Sequence, residues 1–182
     1  ENHYIMTTTT GGAANVMSKL EDYLQTEWPE LEVYLTSVTD HFATVSICGP
    51  NSKKILTKIV PELDLSDENF PHMAFKNAKI GKINCRVMRI SFTGEHSYEI
   101  NIQANYGNSV WEKCMEAGKE FNITPYGTEA MHLLRAEKGF IIVGQDTDGT
   151  MTPIDLQMDW IVSKKKYDFI GKRSLYRSDT MK

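Results

Sequence analysis

Apolar side chains recur every three or four positions in four segments of the chain, a spacing that predicts amphipathic helices. The clearest case is 13–26, where the apolar positions share one helical face. Glycine or proline stands near the ends of these segments, as is common where helices begin or stop. The predicted helices cover residues 13–26, 52–60, 106–120 and 128–138.

Alternation of apolar and polar residues, rich in β-branched and aromatic side chains, predicts strands between these helices. Residues 39–41 form a polar turn between two such runs and predict an antiparallel hairpin. The predicted strands cover 4–10, 31–36, 42–48, 74–80, 83–92, 98–103 and 140–143. Because the two halves of the chain have a similar rhythm, we expect an α+β fold of duplicated mixed or antiparallel sheets with packed helices.

The composition is that of an ordinary globular protein. The 182 residues are 41% hydrophobic and 24% charged, which excludes a disordered chain. The net charge of −4 lacks the basic excess of a nucleic-acid-binding domain, so we expect no nucleic-acid partner. No apolar run reaches the length of a membrane span and no signal peptide is recognisable, so we also expect no membrane contact.

Three cysteines, Cys48, Cys85 and Cys114, lie far apart in apolar stretches. No pair of Cys or His residues has metal-ligand spacing, so no metal site is expected. Buried thiols of this kind are typical of a reducing compartment, which indicates a cytoplasmic protein. The chain begins Glu1-Asn2-His3 and runs at once into a predicted strand, and we interpret it as a piece of a longer polypeptide.

The stretch RISFTGEHSYEI, residues 89–100, carries two candidate carboxylates, Glu95 and Glu99. On a continuous strand, residues four apart would share a face. The stretch begins and ends like a strand, but Thr93 and Gly94 interrupt the strand pattern in its middle. The residues alone therefore do not say whether either carboxylate faces a pocket or solvent. His96 and His132 are isolated histidines, for which a structural role is the more common one.

Three segments together resemble the folate-binding aminomethyltransferase superfamily, of which the T-protein of the glycine cleavage system is typical. They are RISFTGEHSYEI, then GTEAMHLLRAEKG at 127–139, and GQDTDGTMTP at 144–153. Within the superfamily, four further stretches are most similar to the sarcosine oxidase α-subunit family. These are MTTTTGGA at 6–13, LQTEWP at 24–29, ITPYGTE at 123–129 and LRAEKGFIIVGQDTDG at 134–149.

The resemblance implies a tetrahydrofolate site. Glu99 occupies the position of the glutamate that accepts from the ring N–H and 2-amino group of the pterin, a paired, charge-assisted geometry. Phe92 would form an aromatic wall beside the pterin, and Thr9 would supply part of a polar contact made by Asn in glycine-cleavage relatives. Met131 stands where those relatives have an arginine that reaches the folate tail or the donor, so that contact is absent or supplied elsewhere.

The remaining positions of the resemblance concern support and catalysis. Arg135 and Glu137 match a structural pair in the family's helix. The family's acid–base Asp lies before the first strand of this chain, so the catalytic residue is unknown here, and the isolated chain is expected to be inactive. Residues 1–163 would form a partial folate-binding domain, and 164–182 a connector toward a C-terminal barrel that the chain does not include.

The function implied is capture of the one-carbon unit from sarcosine oxidation as 5,10-methylenetetrahydrofolate. FAD, FMN and NAD would be needed only in the complete assembly, with the other sarcosine oxidase subunits as partners. One alternative is an aminomethyltransferase of the glycine-cleavage or dimethylglycine type. Another is a non-enzymatic folate-binding module of iron–sulfur assembly, although Phe140 stands where that module needs Cys. A domain that has lost ligand binding is a further possibility.

Overall fold

The computed structural model describes residues 3–176, and the α+β class predicted from the sequence is confirmed. The chain divides into two compact units. The first comprises residues 1–91 and 95–125, and the second comprises 92–94 and 126–182. Of the duplicated sheets that were expected, the described residues contain one.

The first unit holds a four-stranded antiparallel sheet. Its strands are β1 (Phe42–Cys48), β2 (Phe75–Ile80), β3 (Ile83–Met88) and β4 (Ser97–Gln103). They lie in the order β1-β4-β3-β2, so the last strand of the unit is central and pairs with both β1 and β3. The helices of this unit are α1 (Ala13–Thr26), α2 (Ser52–Ile59) and α3 (Gly107–Gly118).

The core lies between the sheet and the pair α2 and α3. Tyr98, Ile100 and Ile102 alternate along β4 and are buried against these helices. Leu56 of α2 and Val110 of α3 are fully buried in the same cluster. Burial of each such side chain contributes about 1.5–3 kcal/mol, so this face of the sheet holds the unit together.

The entry to β4 is fixed by the turn that begins α2. The backbone N–H of Gly49 and the hydroxyl of Ser52 both donate to the carbonyl oxygen of His96, each at 2.9 Å. Gly49 has a φ of 105°, a conformation that glycine adopts without steric cost. The residue before β4 is thereby held by the segment that follows β1.

The second unit contains α4 (Thr128–Glu137) followed by turns and short 3-10 segments. The 3-10 segments are Asp159–Ile161 and Arg173–Tyr176. All four predicted helices are therefore confirmed, and α1 has the predicted bounds. No helix in the described part of the chain is long and apolar enough to cross a membrane.

The predicted strand at 31–36 is wrong, because this segment has no regular secondary structure. Its apolar side chains are exposed to solvent, with Val33 51% and Tyr34 94% exposed. The alternating pattern therefore does not correspond to a face that packs against the core. A backbone hydrogen bond from Val33 N–H to the Leu31 carbonyl closes a local turn instead. The predicted hairpin with 42–48 therefore does not form.

The strands predicted at 4–10 and 140–143 are also wrong. Residues 3–9 have no regular structure, and Tyr4 and Met6 are largely exposed. At 140–143 the backbone donors are satisfied by a tight turn rather than by a neighbouring strand: Phe140 N–H donates to the Arg135 carbonyl, and Ile142 N–H donates to the Asp146 carboxylate. Local hydrogen bonding decides the backbone conformation in this segment.

Candidate functional site

The face of the sheet opposite α2 and α3 is polar. Because side chains alternate along a strand, the residues of β4 between the buried Tyr98, Ile100 and Ile102 point to this second face. This second face is formed by these β4 residues together with the residues of β1, β2 and β3 whose side chains point the same way. We call it the open face. The β4 members of the open face are Ser97, Glu99, Asn101 and Gln103.

The strand register arranges the open face in rows across the sheet. Residues whose Cα atoms are paired in adjacent strands carry side chains on the same side. The first row is Ser46, Glu99, Met88 and Phe75. The second row is Thr44, Asn101, Arg86 and Asn77. The third row joins the pair Phe42 and Gln103 to the pair Asn84 and Lys79.

Glu99 is the carboxylate of the first row. Its side chain is half-buried, and burial raises the pKa of its carboxyl above the usual value of 4.5. Within residues 3–176 the Glu99 carboxylate forms no side-chain hydrogen bond and no ion pair. A desolvated carboxylate without donors is costly, and a ligand that offers N–H groups would relieve that cost.

Glu95 does not share this environment. It lies in the bend of residues 92–96, whereas Glu99 lies within β4. The interruption at Thr93 and Gly94 therefore separates the two carboxylates: one is in the loop and the other is on the sheet. The sequence left open whether Glu95 and Glu99 lie on one face of a strand. The structure places only Glu99 on a strand face.

Phe92 and Thr9 occupy different parts of the chain. Phe92 belongs to the second unit, is 43% exposed, and its ring lies against the His132 ring at 6.5 Å between centroids. Thr9 belongs to the first unit, is exposed, and its carbonyl accepts from Gly12 N–H at the start of α1. The aromatic-wall role of Phe92 and the polar contact of Thr9 both stay predictions.

The supporting role expected of Arg135 and Glu137 in α4 is found for Arg135 only. Arg135 is buried and forms an ion pair with Asp146, whereas Glu137 is exposed. Arg135 Nη1 also donates to the Phe140 carbonyl at 2.9 Å, so the guanidinium fastens the turn that follows the helix. Met131 lies on the same helix and offers no charge to a ligand.

A hydrogen-bonded aromatic pair at the start of β4 was not predicted from the sequence. Tyr98 is fully buried, and its hydroxyl lies 2.8 Å from Nε2 of His96. Burial is the main cause that lowers the pKa of His96 and raises the pKa of Tyr98. A neutral imidazole accepting from the tyrosine hydroxyl fits both directions. The signal available in the sequence was a His and a Tyr two positions apart at the end of a predicted strand. The sequence did not show that Tyr98 is buried.

Arg86 and Asn101 were also missed. They face each other across β3 and β4 in the second row, and Asn101 Nδ2 is a buried donor without a partner in the described residues. Phe75 of the first row lies 5.7 Å from the Arg86 guanidinium, measured from Cζ to the ring centroid. The alternating polar positions of 77–79, 84–86 and 101–103 were the available signal, but only the strand register brings them together.

Comparison with known proteins identifies relatives for most of the chain. The model of the GCVT N-terminal domain family matches residues 1–166. Sarcosine oxidase subunit alpha of Corynebacterium sp. strain U-96 is 56% identical over 100% of this chain and 19% of its own length. The protein of the same name from Rhizobium meliloti strain 1021 is 45% identical over 97% of this chain and 18% of its own length.

A more distant relative has a different name. The aminomethyltransferase of Thermoanaerobacter sp. strain X514 is 36% identical over 80% of this chain and 39% of its own length. The chain therefore spans about a fifth of the sarcosine oxidase subunits that it resembles and about two fifths of this aminomethyltransferase.

Proposed function

Because the chain belongs to the GCVT N-terminal domain family, we propose that it binds tetrahydrofolate and that Glu99 on the open face holds the pterin ring. The observation that carries this proposal is the half-buried Glu99 carboxylate, which forms no ion pair within residues 3–176 and whose pKa is raised by burial. The pterin edge offers a ring N–H beside a 2-amino group. Two donors in that arrangement match the two oxygens of one carboxylate.

The residues around Glu99 fit a flat ring with a polar edge. Ser46 lies beside it on β1 and supplies a hydroxyl, and Met88 lies beside it on β3 and supplies an apolar thioether. In this proposal Phe92 contributes an aromatic surface and Thr9 a hydroxyl, as the resemblance implies. Both are exposed and available to a ligand.

The reaction that we propose for the protein containing this chain is capture of a one-carbon unit on tetrahydrofolate as 5,10-methylenetetrahydrofolate. Two relatives carry the name sarcosine oxidase subunit alpha, which supports oxidation of sarcosine as the source of that unit. Holding the folate next to the one-carbon unit would supply a large proximity effect. The acid–base residue is not assigned to any position of this chain.

Further parts of the proposal concern the setting of the domain. FAD, FMN and NAD, together with other sarcosine oxidase subunits, would serve the oxidation step in the complete assembly. Residues 1–163 are proposed as the folate-binding part and 164–182 as a connector to a following domain. The cytoplasm is the proposed location, and the buried thiols of Cys85 and Cys114 are consistent with a reducing compartment.

An aminomethyltransferase role is the second candidate, favoured by the 36% identity to the Thermoanaerobacter protein of that name. Met131 argues against the glycine-cleavage form of that activity, since a thioether cannot pair with a carboxylate. The iron–sulfur assembly module is disfavoured by Phe140, since a phenyl ring has no thiol chemistry.

The test is calorimetric titration of the native protein with tetrahydrofolate. Glu99→Gln replaces one acceptor oxygen by a donor and is expected to weaken binding by about 100-fold. Glu95→Gln, in the neighbouring loop, is the matched control and should bind as the wild type does. No binding by the wild type, or equal binding by the Glu99→Gln variant, would overturn the proposed site.

A further inference from the structure

The sheet has two edge strands, β1 and β2, which differ in how their outer edges are protected. β2 carries Lys76 and Lys79, and the carboxylate of Glu62 accepts from the backbone N–H of Lys79 at 3.2 Å. Charged residues of this kind are common on strand edges that stay free in solution. β1, with the sequence FATVSIC, contains no charged residue and no proline. Its edge therefore lacks the features that prevent another strand from pairing with it.

The strand register shows which backbone groups of β1 point outward. Gly49 N–H donates to the His96 carbonyl at 2.9 Å, and these two residues continue the β1–β4 register. In an antiparallel pair, residues that exchange hydrogen bonds with the partner strand alternate with residues whose N–H and C=O point away from it. Counting back from Gly49, the backbone groups of Val45 point to β4, whereas those of Thr44 and Ser46 point to the free edge.

These outward groups have no backbone partner among the described residues. There β1 pairs with β4 alone, and no backbone hydrogen bond from another segment reaches Thr44 or Ser46. Both residues are exposed. Outward donors and acceptors that repeat every two residues, or about 6.8 Å, form the template to which an extended segment adds as a new strand.

The helix α3 lies over β1. Its first residue, Gly107, approaches the strand so closely that a Cβ there would lie 3.1 Å from the Cβ of Ala43. α2 packs against α3 and against both β1 and β4, so it lies on the inner side of α3, toward the middle of the sheet. An ion pair between Lys58 of α2 and Glu120, just after α3, lies on this inner side. The other side of α3 therefore faces the free edge of β1.

The outer side of α3 carries Trp111 and Met115. With about 100° of rotation per residue, they lie on one flank of the buried Cys114, and Glu120 lies on the other. Trp111 is 43% exposed although its indole is large and mostly apolar. An indole and a thioether beside a free strand edge form an apolar surface that side chains of an added strand can cover.

A second copy of the chain does not fit this edge. Antiparallel pairing of two β1 strands would place them about 4.8 Å apart. Each strand carries its own α3 on the same side of the joined sheet, and the axes of packed helices need about 8–10 Å between them. The two helices would overlap, so the strand that pairs with β1 brings no helix over the edge.

The lengths of the relatives favour a partner segment in the same polypeptide. The chain spans about a fifth of the sarcosine oxidase subunits that it resembles, so in a protein of that length most of the polypeptide lies outside these residues. A segment of the same polypeptide meets the edge at a high effective concentration, without the loss of freedom that a separate molecule incurs.

We propose that the free edge of β1 pairs with an extended segment from another part of the same longer polypeptide, which adds a fifth strand to the sheet. The segment has apolar residues at every second position, because one side of the added strand meets Trp111 and Met115. The residues between them continue the polar open face beside Thr44 and Ser46. The edge is defined without the folate site, so this pairing and tetrahydrofolate binding stand or fail separately.

The experiment is backbone hydrogen–deuterium exchange of the native protein without ligand, resolved to single residues. The amides of Val45 and Ile47 point to β4 and report the stability of β1 itself. If the edge is paired, Thr44 and Ser46 are protected to within about tenfold of these two amides. Faster exchange at Thr44 or Ser46 would show an open edge and overturn the inference.

Two variants test the contribution of α3. Trp111→Ala removes apolar surface beside the edge and is expected to speed exchange of the two outward amides about tenfold, with a smaller change at the inward amides. Lys113→Ala alters an exposed residue of the same helix and is the control, which should change none of these rates. Equal effects of the two variants would overturn the packing assigned to Trp111.

Dilution and removal of other subunits test the source of the added strand. Protection of Thr44 and Ser46 should be the same across an about 100-fold range of protein concentration, and the same in the long polypeptide purified without other subunits. Protection that disappears on dilution would assign the edge to a second copy. Protection that requires another subunit would assign it to that subunit, and either result overturns the assignment to the same polypeptide.

Discussion

Arg135 and Asp146 are paired through both arms of the guanidinium: Nη1 donates to Oδ2, and Nη2 lies 3.4 Å from Oδ1. The Asp146 carboxylate also accepts from the backbone N–H of Ile142 at 2.7 Å. One carboxylate thus joins the last turns of α4 to the backbone of the loop that follows. The pair holds the end of the helix and the loop as a single piece within the second unit.

Asp146→Asn should lower the free energy of unfolding, because it leaves the buried Arg135 guanidinium without its counter-ion. Chemical denaturation measures the change. The control is Glu137→Gln, which alters an exposed residue of the same helix and should change the stability by no more than about 0.5 kcal/mol. A larger effect of Glu137→Gln than of Asp146→Asn would contradict the role assigned to the Arg135–Asp146 ion pair.

The same pair predicts a loss of stability in acid. The Ile142 N–H and the Arg135 guanidinium lower the pKa of Asp146 below its usual 3.8. A carboxyl with a lowered folded-state pKa stabilises the fold above its unfolded-state pKa, and this contribution disappears as the pH falls through the folded-state pKa. The stability difference between wild type and Asp146→Asn should therefore shrink below pH 3.8; a difference that does not change with pH would contradict the assignment.

Glu99→Gln should stabilise the ligand-free protein at neutral pH. Burial raises the pKa of Glu99 above 4.5, so its ionised form is disfavoured in the folded state. The gain should vanish below pH 4.5, where the carboxyl is protonated in both the folded and the unfolded state. Urea unfolding of wild type and variant at neutral and acid pH checks the sign, and destabilisation at neutral pH would mean that Glu99 has a stabilising partner.

Tyr98→Phe should cost about 1 kcal/mol, because it removes the hydroxyl that bonds to His96 while keeping the buried ring. The stacking of residue 98 on Phe70, with 6.0 Å between ring centroids, is retained by the substitution. Thermal unfolding measures the loss. An unchanged melting temperature would show that water replaces the bond.

His96 should make stability fall as the pH drops below neutral. Its folded-state pKa is lowered from 6.5, chiefly by burial, so the contribution is complete above pH 6.5 and is lost as the pH falls through the lowered value. His96→Gln cannot titrate and should flatten the stability profile in this window. A profile with the same slope in the variant would assign the titration to another group.

Gly94→Ala should destabilise the second unit by about 1–3 kcal/mol. Gly94 has a φ of 77°, and a Cβ at this position would lie 2.6 Å from both Cβ and Cγ of Lys138. Gly149→Ala is the control, since no heavy atom lies within 4 Å of the Cβ it would add and its φ is outside the left-handed region. Limited proteolysis after α4 reports local loosening, and equal resistance of the two variants would contradict the predicted clash.

The alternation that predicted β1 at 42–48 had a core to meet, because Val45 and Ile47 are buried. The helical period at 13–26 gave the bounds of α1, although none of the residues of this helix is buried. The same kind of alternation at 31–36 failed because no buried surface receives its apolar side chains. Periodicity reports which face would be buried but not whether a partner surface exists.

Residues of the candidate site were also predicted where a local sequence pattern identified them and missed where their position depends on long-range structure. Glu99 was found by resemblance, because its sequence neighbourhood is distinctive. Arg86 was missed because its position beside Asn101 depends on the register between β3 and β4, which is a long-range property. The supporting role expected of Arg135 and Glu137 holds only for Arg135, since residues two apart on a helix do not share a face and Glu137 is exposed.

The alternation of β4 has an evolutionary consequence. The even-numbered residues from Tyr98 to Ile102 stabilise the core, while the odd-numbered residues from Glu99 to Gln103 meet the open face. Substitutions at the odd positions change the open face without entering the hydrophobic core, and those at the even positions change the core without altering the open face. The open face can therefore change in sequence while the core is kept, whereas an insertion or deletion of a single residue in β4 would exchange the two sets of side chains and disrupt both faces at once.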